Sequence, residues 1–314
     1  MPEDSELLIN LEDVVDCIMR RQLLSTMENP PAAICRYDTF DTFRKMTEHA
    51  FDDSGKRSSH AILQDWAGLD LWLMDVETMN DPLEGLFLSE RSRHWNIQDS
   101  KNPKALMSEL FKEDLESDYI NEFDAGPIFI SSFSSKPDDL DLWRLYCNGH
   151  GVCLKFSPPS HKTFYRVEYG DKAVDSTLDE LAWVIEPILA RKSPSLLNSR
   201  ARTLVRPLCF LFKSEGHKTD EEFRLIESHQ DWKDVQMTNA APDGKNINRL
   251  YIRHRQFFFS SHGVHDEVIV GPLASSPLEA TRGHGAYIKE VKWRLNKLGL
   301  GRIPVKRSRH ILRH

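Results

Sequence analysis

The sequence predicts an α+β fold, and three features predict it. Amphipathic helical stripes stand among short apolar runs of β type, strands and helices alternate without the regular beat of a parallel α/β protein, and no internal repeat is present. The strands are expected to form mixed or antiparallel sheets. The expected organisation is an N-terminal amphipathic helix over residues 1–30, followed by one α+β domain over 31–314 that includes a basic C-terminal helix and a closing strand.

Taken in order, Leu7, Leu8, Leu11, Val14, Val15, Ile18 and Leu23 recur at helical spacing, with Glu12, Asp13, Arg20 and Arg21 between them. Asn29-Pro30-Pro31 then breaks the helix and restarts the chain as an extended segment, so 33–37 reads as a strand. Asp38-Thr-Phe-Asp-Thr-Phe-Arg44 opens a second helix rich in oxygen caps. The apolar centre of 70–75 predicts a buried strand, Met79-Asn-Asp-Pro82 a turn, and 102–121 a helix.

Residues 127–134 read as a strand with a serine-rich end. Pro137-Asp-Asp139 starts a helix, since proline suits the first helical position and acids complement the dipole there. Trp143 and Tyr146 are expected on one face of it. Strands follow at 151–156 and 166–169, then a helix announced by the capping box Ser176-x-x-Asp179, and a helix over 201–213. Across 221–227 the alternation puts Glu222, Arg224 and Ile226 on one face and Phe223 and Leu225 on the other. A strand near 267–271, a helix over 277–296 and an edge strand near Ile303 complete the prediction.

Composition narrows the function. The chain has 314 residues, 40% hydrophobic and 28% charged, with a net charge of -7. No run approaches the roughly 18 apolar residues needed to cross a bilayer, and the acidic opening Met-Pro-Glu-Asp-Ser-Glu lacks the basic and apolar regions of a secretory signal. No membrane partner is expected. Cys17, Cys35, Cys147, Cys153 and Cys209 include no Cys-x-x-Cys pair, so the reading is of reduced thiols in a cytoplasm, with Cys153 a small buried apolar residue. Nine Lys or Arg residues against the single acid Glu290 between 289 and 313 make a local basic stretch, either a solvated helix and strand or a nucleic-acid contact.

Walker, Gly-x-Gly-x-x-Gly, His-Glu-x-x-His and Gly-x-Ser-x-Gly signatures are absent, and His254, His262 and His265 have no carboxylate at ligand spacing. No metal is expected. What remains is a set of strand-end residues: Arg36 with Tyr37, Asn80-Asp-Pro-x-Glu84, Ser132-Phe-Ser134, Trp143-x-x-Tyr146, Gly151-Val-Cys153, and Lys213 ahead of Asp220-x-Glu222-x-Arg224. In that order and spacing they resemble the uncharacterised bacterial family called domain of unknown function 2971. This chain has Ser132 where the family has cysteine, Met79 where its turn has phenylalanine, and Asp220 for the first acid of its Glu-x-Glu. The resemblance implies a fold and a prokaryotic cytoplasmic setting, without an activity.

For activity, an early Arg, a mid-chain Ser-x-Ser and a late acid-x-Glu follow the order of ADP-ribosyltransferases, which bind NAD between two small sheets; this is analogy at the level of the fold. The expected function is therefore consumption of NAD by ADP-ribosyl transfer to a protein or nucleic-acid acceptor, or by glycohydrolysis, in phage defence or as a toxin. Glu222, helped by Asp220, is the candidate catalytic acid, because breaking the nicotinamide–ribose bond builds positive charge that a carboxylate stabilises. Arg36, Tyr37, Ser132, Ser134, Trp143, Tyr146 and Arg224 are the candidate NAD contacts. Glu222→Gln is expected to abolish turnover and leave folding nearly unchanged. Two other readings stand beside this one: a non-catalytic nucleic-acid-binding or sensing module, and a metal-dependent nucleic-acid hydrolase using Asp220 and Glu222. Each residue also has a structural reading. Asp220, Glu222 and Arg224 can form an exposed strand ladder, Arg36 can pair with Glu84, the serines can satisfy backbone groups, and Trp143 and Tyr146 can be core.

Overall fold

The computed structural model describes residues 4–48, 68–76, 85–95, 127–147, 151–189, 195–228, 235–238, 249–259, 263–272 and 277–310. Its architecture is α+β. In chain order its main elements are α1 (Asp4–Arg21), β1 (Ile34–Thr39), α2 (Phe40–Thr47), β2 (Leu69–Asp75), α3 (Leu86–Trp95), β3 (Ile128–Ser134), α4 (Leu140–Cys147) and β4 (Gly151–Phe156). Next come β5 (Phe164–Arg166), β6 (Glu168–Tyr169), α5 (Asp171–Leu189), α6 (Ser195–Val205), β7 (Phe212–Lys213) and β8 (Glu222–Ser228). The last are β9 (Gln236–Thr238), β10 (Arg249–Phe258), β11 (Glu267–Val270), α7 (Pro277–Lys297) and β12 (Val305–Arg307). They fall into two compact units, one of residues 1–30, 74–131 and 163–251, the other of 31–73, 132–162 and 252–314. The expected turn at 79–82 and helix over 102–121 lie outside the described residues.

In the first unit the stripe on α1 is used as its spacing requires. Leu7, Leu11, Val15 and Ile18 pack with Val174, Leu178, Leu181 and Ile185 of α5 and with Ala201 and Val205 of α6. Leu11 and Ile18 have no exposed surface, and burying each such side chain is worth about 1.5–3 kcal/mol. Arg21 then clamps Glu180 through two bonds of 3.0 and 2.7 Å, and Arg91 of α3 holds Asp175 the same way. Two expectations need correction. Helix α5 starts at Asp171, ahead of the Ser176 capping box, because Gly170 turns the chain at φ +87° and Asp171 supplies the acid of the first turn. The helix expected over 201–213 is instead α6, a 3-10 turn over Arg206–Leu211 and the strand β7; Pro207 lacks the N–H an α-helix would need there.

In the second unit β1 lies antiparallel to β4 over six residues, from Ile34 opposite Phe156 to Thr39 opposite Gly151. Strand β11 pairs antiparallel with the other side of β4, and β12 closes that side as a parallel edge strand. The end of β3 joins β1 with Ser134 opposite Cys35. Helix α2 is capped by the Thr39 hydroxyl, which accepts the Thr42 N–H. It packs on α7 through stacked Phe40 and Tyr287 rings and the Arg44–Glu290 pair. Helix α4 covers one face of the sheet, where Leu142, Trp143 and Cys147 meet Cys35, Tyr37, Cys153 and Ile269.

The C-terminal segment is tied to the loop before α4 by Asp138. This residue stands at φ +57°, and its carboxylate accepts from Trp143 Nε1 at 2.9 Å, from the Ser308 hydroxyl and from Arg309 N–H at 2.9 Å. His310 Nε2 donates to the Asp138 carbonyl. One carboxylate thus serves three donors from two ends of the unit. Asp138→Ala is expected to lower stability by about 2 kcal/mol or more, since Trp143 Nε1 loses its acceptor in the core, and to expose Arg307 and Arg309 to trypsin. Limited digestion followed by mass spectrometry, with wild type intact to His310, checks this.

Candidate functional site

The acids singled out in the sequence gather in the first unit, at the start of β8. A 3-10 turn over Glu215–Asp220 ends in Glu221, a non-glycine residue at φ +44°, which re-aims the chain so that Glu222 enters the strand. Glu222 N–H donates to the Tyr169 hydroxyl at 2.8 Å, and the Glu222 carbonyl accepts from Val167 N–H. The Glu222 carboxylate sits between two cations, with Arg224 Nε at 2.7 Å on Oε1 and Lys213 Nζ at 2.6 Å on Oε2. Arg224 also donates to the Phe210 carbonyl.

Burial decides what this group is. Glu222 is 2% exposed and Arg224 0%, so the pair is internal, and the exposed strand ladder is ruled out. The strand alternation itself holds, with Glu222 and Arg224 bonded to each other on one face. Desolvation pushes the Glu222 carboxyl up, but the Arg224 and Lys213 charges and hydrogen bonds more than offset it and hold its pKa at about 2. Asp220 goes the other way: burial raises it, Lys213 opposes, and the Glu222 charge adds to the rise. His217 Nδ1 stands 3.6 Å from Asp220. The result is two neighbouring carboxyls pushed apart in acidity.

The other candidates belong to the second unit, and the sheet divides them. Cross-strand partners share a face, so Cys35, Ser134, Tyr37 and Cys153 stand on the α4 side, and the two-residue repeat puts Ser132 with Ser134. Arg36 points to the other side, where Asp38 receives its Nε at 2.8 Å and its guanidinium lies 5.9 Å from the Phe133 ring. Burial pushes the Asp38 carboxyl up, with Arg36 drawing it down. The pairing of Arg36 with Glu84 falls outside the described residues.

Tyr37, Ser134 and Trp143 build the loop ahead of α4. Tyr37 hydroxyl donates to the Lys136 carbonyl and accepts from Asp139 N–H, the Ser134 hydroxyl accepts from Lys136 N–H, and Trp143 meets Tyr37 edge to face at 4.8 Å. Trp143 is fully buried whereas Tyr146 is 39% exposed. Three residues turn a helix by about 60° from coincidence, enough here to carry Tyr146 out of the core, so the two aromatics do not share an environment. Beside this loop lies an open depression of about 530 Å³ lined in part by Lys136, Asp138, Lys155, Glu267 and Arg309. Cys153 is buried with its thiol pushed well up by desolvation.

Sequence reasoning missed Tyr169, Asp138 and the left-handed Glu221. Among the described residues no three His, Cys, Asp or Glu side chains gather as a metal site, and no helix is long and apolar enough to cross a membrane. Comparison with protein-family models, curated proteins and solved structures finds no match for the chain.

The geometry revises the expected effect of Glu222→Gln. Neutralising the anion leaves the buried Arg224 uncompensated, and breaking such a pair costs about 3–5 kcal/mol. Because the folded pKa of Glu222 lies below its ordinary 4.5, its contribution is complete above that value and disappears as the pH falls from about 4.5 to about 2. Asp220, raised, contributes in the opposite sense. The difference in thermal midpoint between wild type and Glu222→Gln is therefore expected to be large at pH 6 and to shrink through that acid window. A difference independent of pH would show that Glu222 is not held as an anion.

Proposed function

We propose that the chain breaks the nicotinamide–ribose bond of NAD and passes the ADP-ribosyl group to a macromolecular acceptor or to water, with Glu222 and Asp220 as its acids. The observation that supports this is the divergence of the two carboxyls, Glu222 held at about 2 and Asp220 raised. Pairs separated in this way divide acid–base work between them. In the reaction the C–N bond breaks with its electron pair going to the nicotinamide nitrogen, which loses its positive charge. Positive charge develops on the ribose as the bond breaks, and the Glu222 anion stabilises it. The acceptor forms the new bond to the anomeric carbon and gives its proton to Asp220, whose raised pKa suits a proton carrier. Arg224, with no exposed surface, acts through Glu222 by keeping it ionised and fixed.

One observation favours a second reading. Glu222 has both oxygens engaged by cations and is almost without solvent contact, as a purely structural ion cluster would be. Nicotinamide release separates the two when followed for wild type, Asp220→Asn and Glu222→Gln at a temperature where circular dichroism shows all three folded. The enzymatic reading expects release by wild type and a loss of about 100-fold or more in both variants. Wild type that leaves NAD intact, or folded variants that consume it at the wild-type rate, leaves the structural cluster as the explanation.

A further inference from the structure

We infer that the outward face of α7 is a docking surface for single-stranded nucleic acid, a role independent of the NAD chemistry above. The helix divides its residues by direction. Val291, Leu295 and Leu298 are buried, and Glu290 and Arg294 turn toward α2, where Arg44 binds Glu290 at 2.7 and 2.9 Å and Arg294 donates to the Thr47 hydroxyl. The face that remains carries Lys289, Lys292, Trp293 and Asn296, all exposed, with Lys289 and Trp293, and Lys292 and Asn296, each four residues apart. Arg302, in the turn after the helix, is exposed as well.

Two properties of this face fit one ligand. Glu290, the only acid between residues 289 and 313, is consumed by Arg44 and Arg294, so the exposed cations face solvent without an acidic neighbour from their own segment. Trp293 is 44% exposed, one helical turn on from Lys289, with the Arg294 guanidinium 5.9 Å from its ring. A lysine array alone suits any polyanion. An indole beside it suits unpaired bases, which stack on an aromatic face while phosphates meet the cations. A membrane surface would call for a band of aliphatic side chains beside the ring, and Asn296 stands there instead.

The test is fluorescence anisotropy with the full chain and a labelled oligothymidylate of about 15 nucleotides, across a salt series. Wild type is expected to bind, with affinity falling steeply as salt rises. Lys289→Gln/Lys292→Gln should lower the magnitude of the logarithmic salt slope by about 1.4, the loss of two phosphate contacts on a single strand. Trp293→Ala should weaken binding about tenfold with the salt slope unchanged. Lys172→Gln, an exposed lysine of α5, should bind as wild type. Absence of salt-dependent binding, wild-type binding by both α7 variants, or equal weakening by Lys172→Gln would overturn the assignment. Tighter binding to the matching duplex, unaffected by Trp293→Ala, would overturn the single-strand commitment.

Discussion

A carboxylate and a guanidinium two residues apart on one strand, neither reached by water, set the terms for the first unit. Desolvating either charge alone would cost several kcal/mol, so Glu222 and Arg224 must be buried together, and each needs its remaining hydrogen-bonding capacity met. The surrounding segments are arranged to do so. Lys213 on β7, the Phe210 carbonyl in the 3-10 turn just before it and the Tyr169 hydroxyl on β6 converge on the start of β8 from two different stretches of chain. The short parallel pairing of β6 with β7, which places Tyr169 opposite Lys213, follows from this convergence as much as from strand propensity. What makes the cluster costly to assemble also makes it chemically specific, because a carboxyl held ionised by two cations lies beside one whose ionisation burial and the Glu222 charge oppose.

In the second unit the governing constraint is the pleat. Adjacent residues of a strand cannot address the same ligand from the same side, and Arg36 and Tyr37 are adjacent. Tyr37 goes with Cys35 and Ser134 under α4, while Arg36 goes with Asp38 to the other face. Order along the sequence, which suggested that these residues act together, carries no information about which face each one takes relative to a residue on another strand. Register carries that information, and it comes from pairs such as Cys35 with Ser134.

The elements that could be read from the sequence are those whose evidence is local and periodic. The α1 stripe, the apolar runs of β1, β3 and β4, the oxygen-capped start of α2 and the basic α7 all emerge close to where the spacing places them. Those that escaped depend on partners distant along the chain. Ser176-x-x-Asp179 has the composition of a helix start, yet Gly170 has already turned the chain and the box lies in the helix interior. Alternation over β8 correctly put Glu222 and Arg224 together, but alternation alone cannot distinguish a solvated ladder from a buried pair. The Lys213 cation and the Tyr169 hydroxyl that decide it lie elsewhere along the chain. Asp138 was invisible for the same reason: a loop aspartate reads as a cap, and its donors Ser308 and Arg309 come from the far end of the chain.

The distribution of charge connects these local rules to what the surface can do. The chain is acidic as a whole, with a net charge of -7, yet residues 289–313 carry nine cations and one acid. An acidic body repels polyanions, so any attraction must come from a patch small enough, and unneutralised enough, to overcome that repulsion at close range; at physiological salt the relevant range is about 8 Å. Packing determines whether such a patch survives folding. Lys306 is neutralised by Glu267 at 3.0 Å, the Arg309 guanidinium stands 3.7 Å from Asp138, and Arg294 shares Glu290 with Arg44. Three of the nine cations are thus spent on holding the unit together. Lys289 and Lys292 are spared because Glu290, between them in sequence, turns toward α2, about 100° around the helix from Lys289 and about 200° from Lys292. The same helical geometry that anchors α7 to α2 thereby leaves the opposite face cationic.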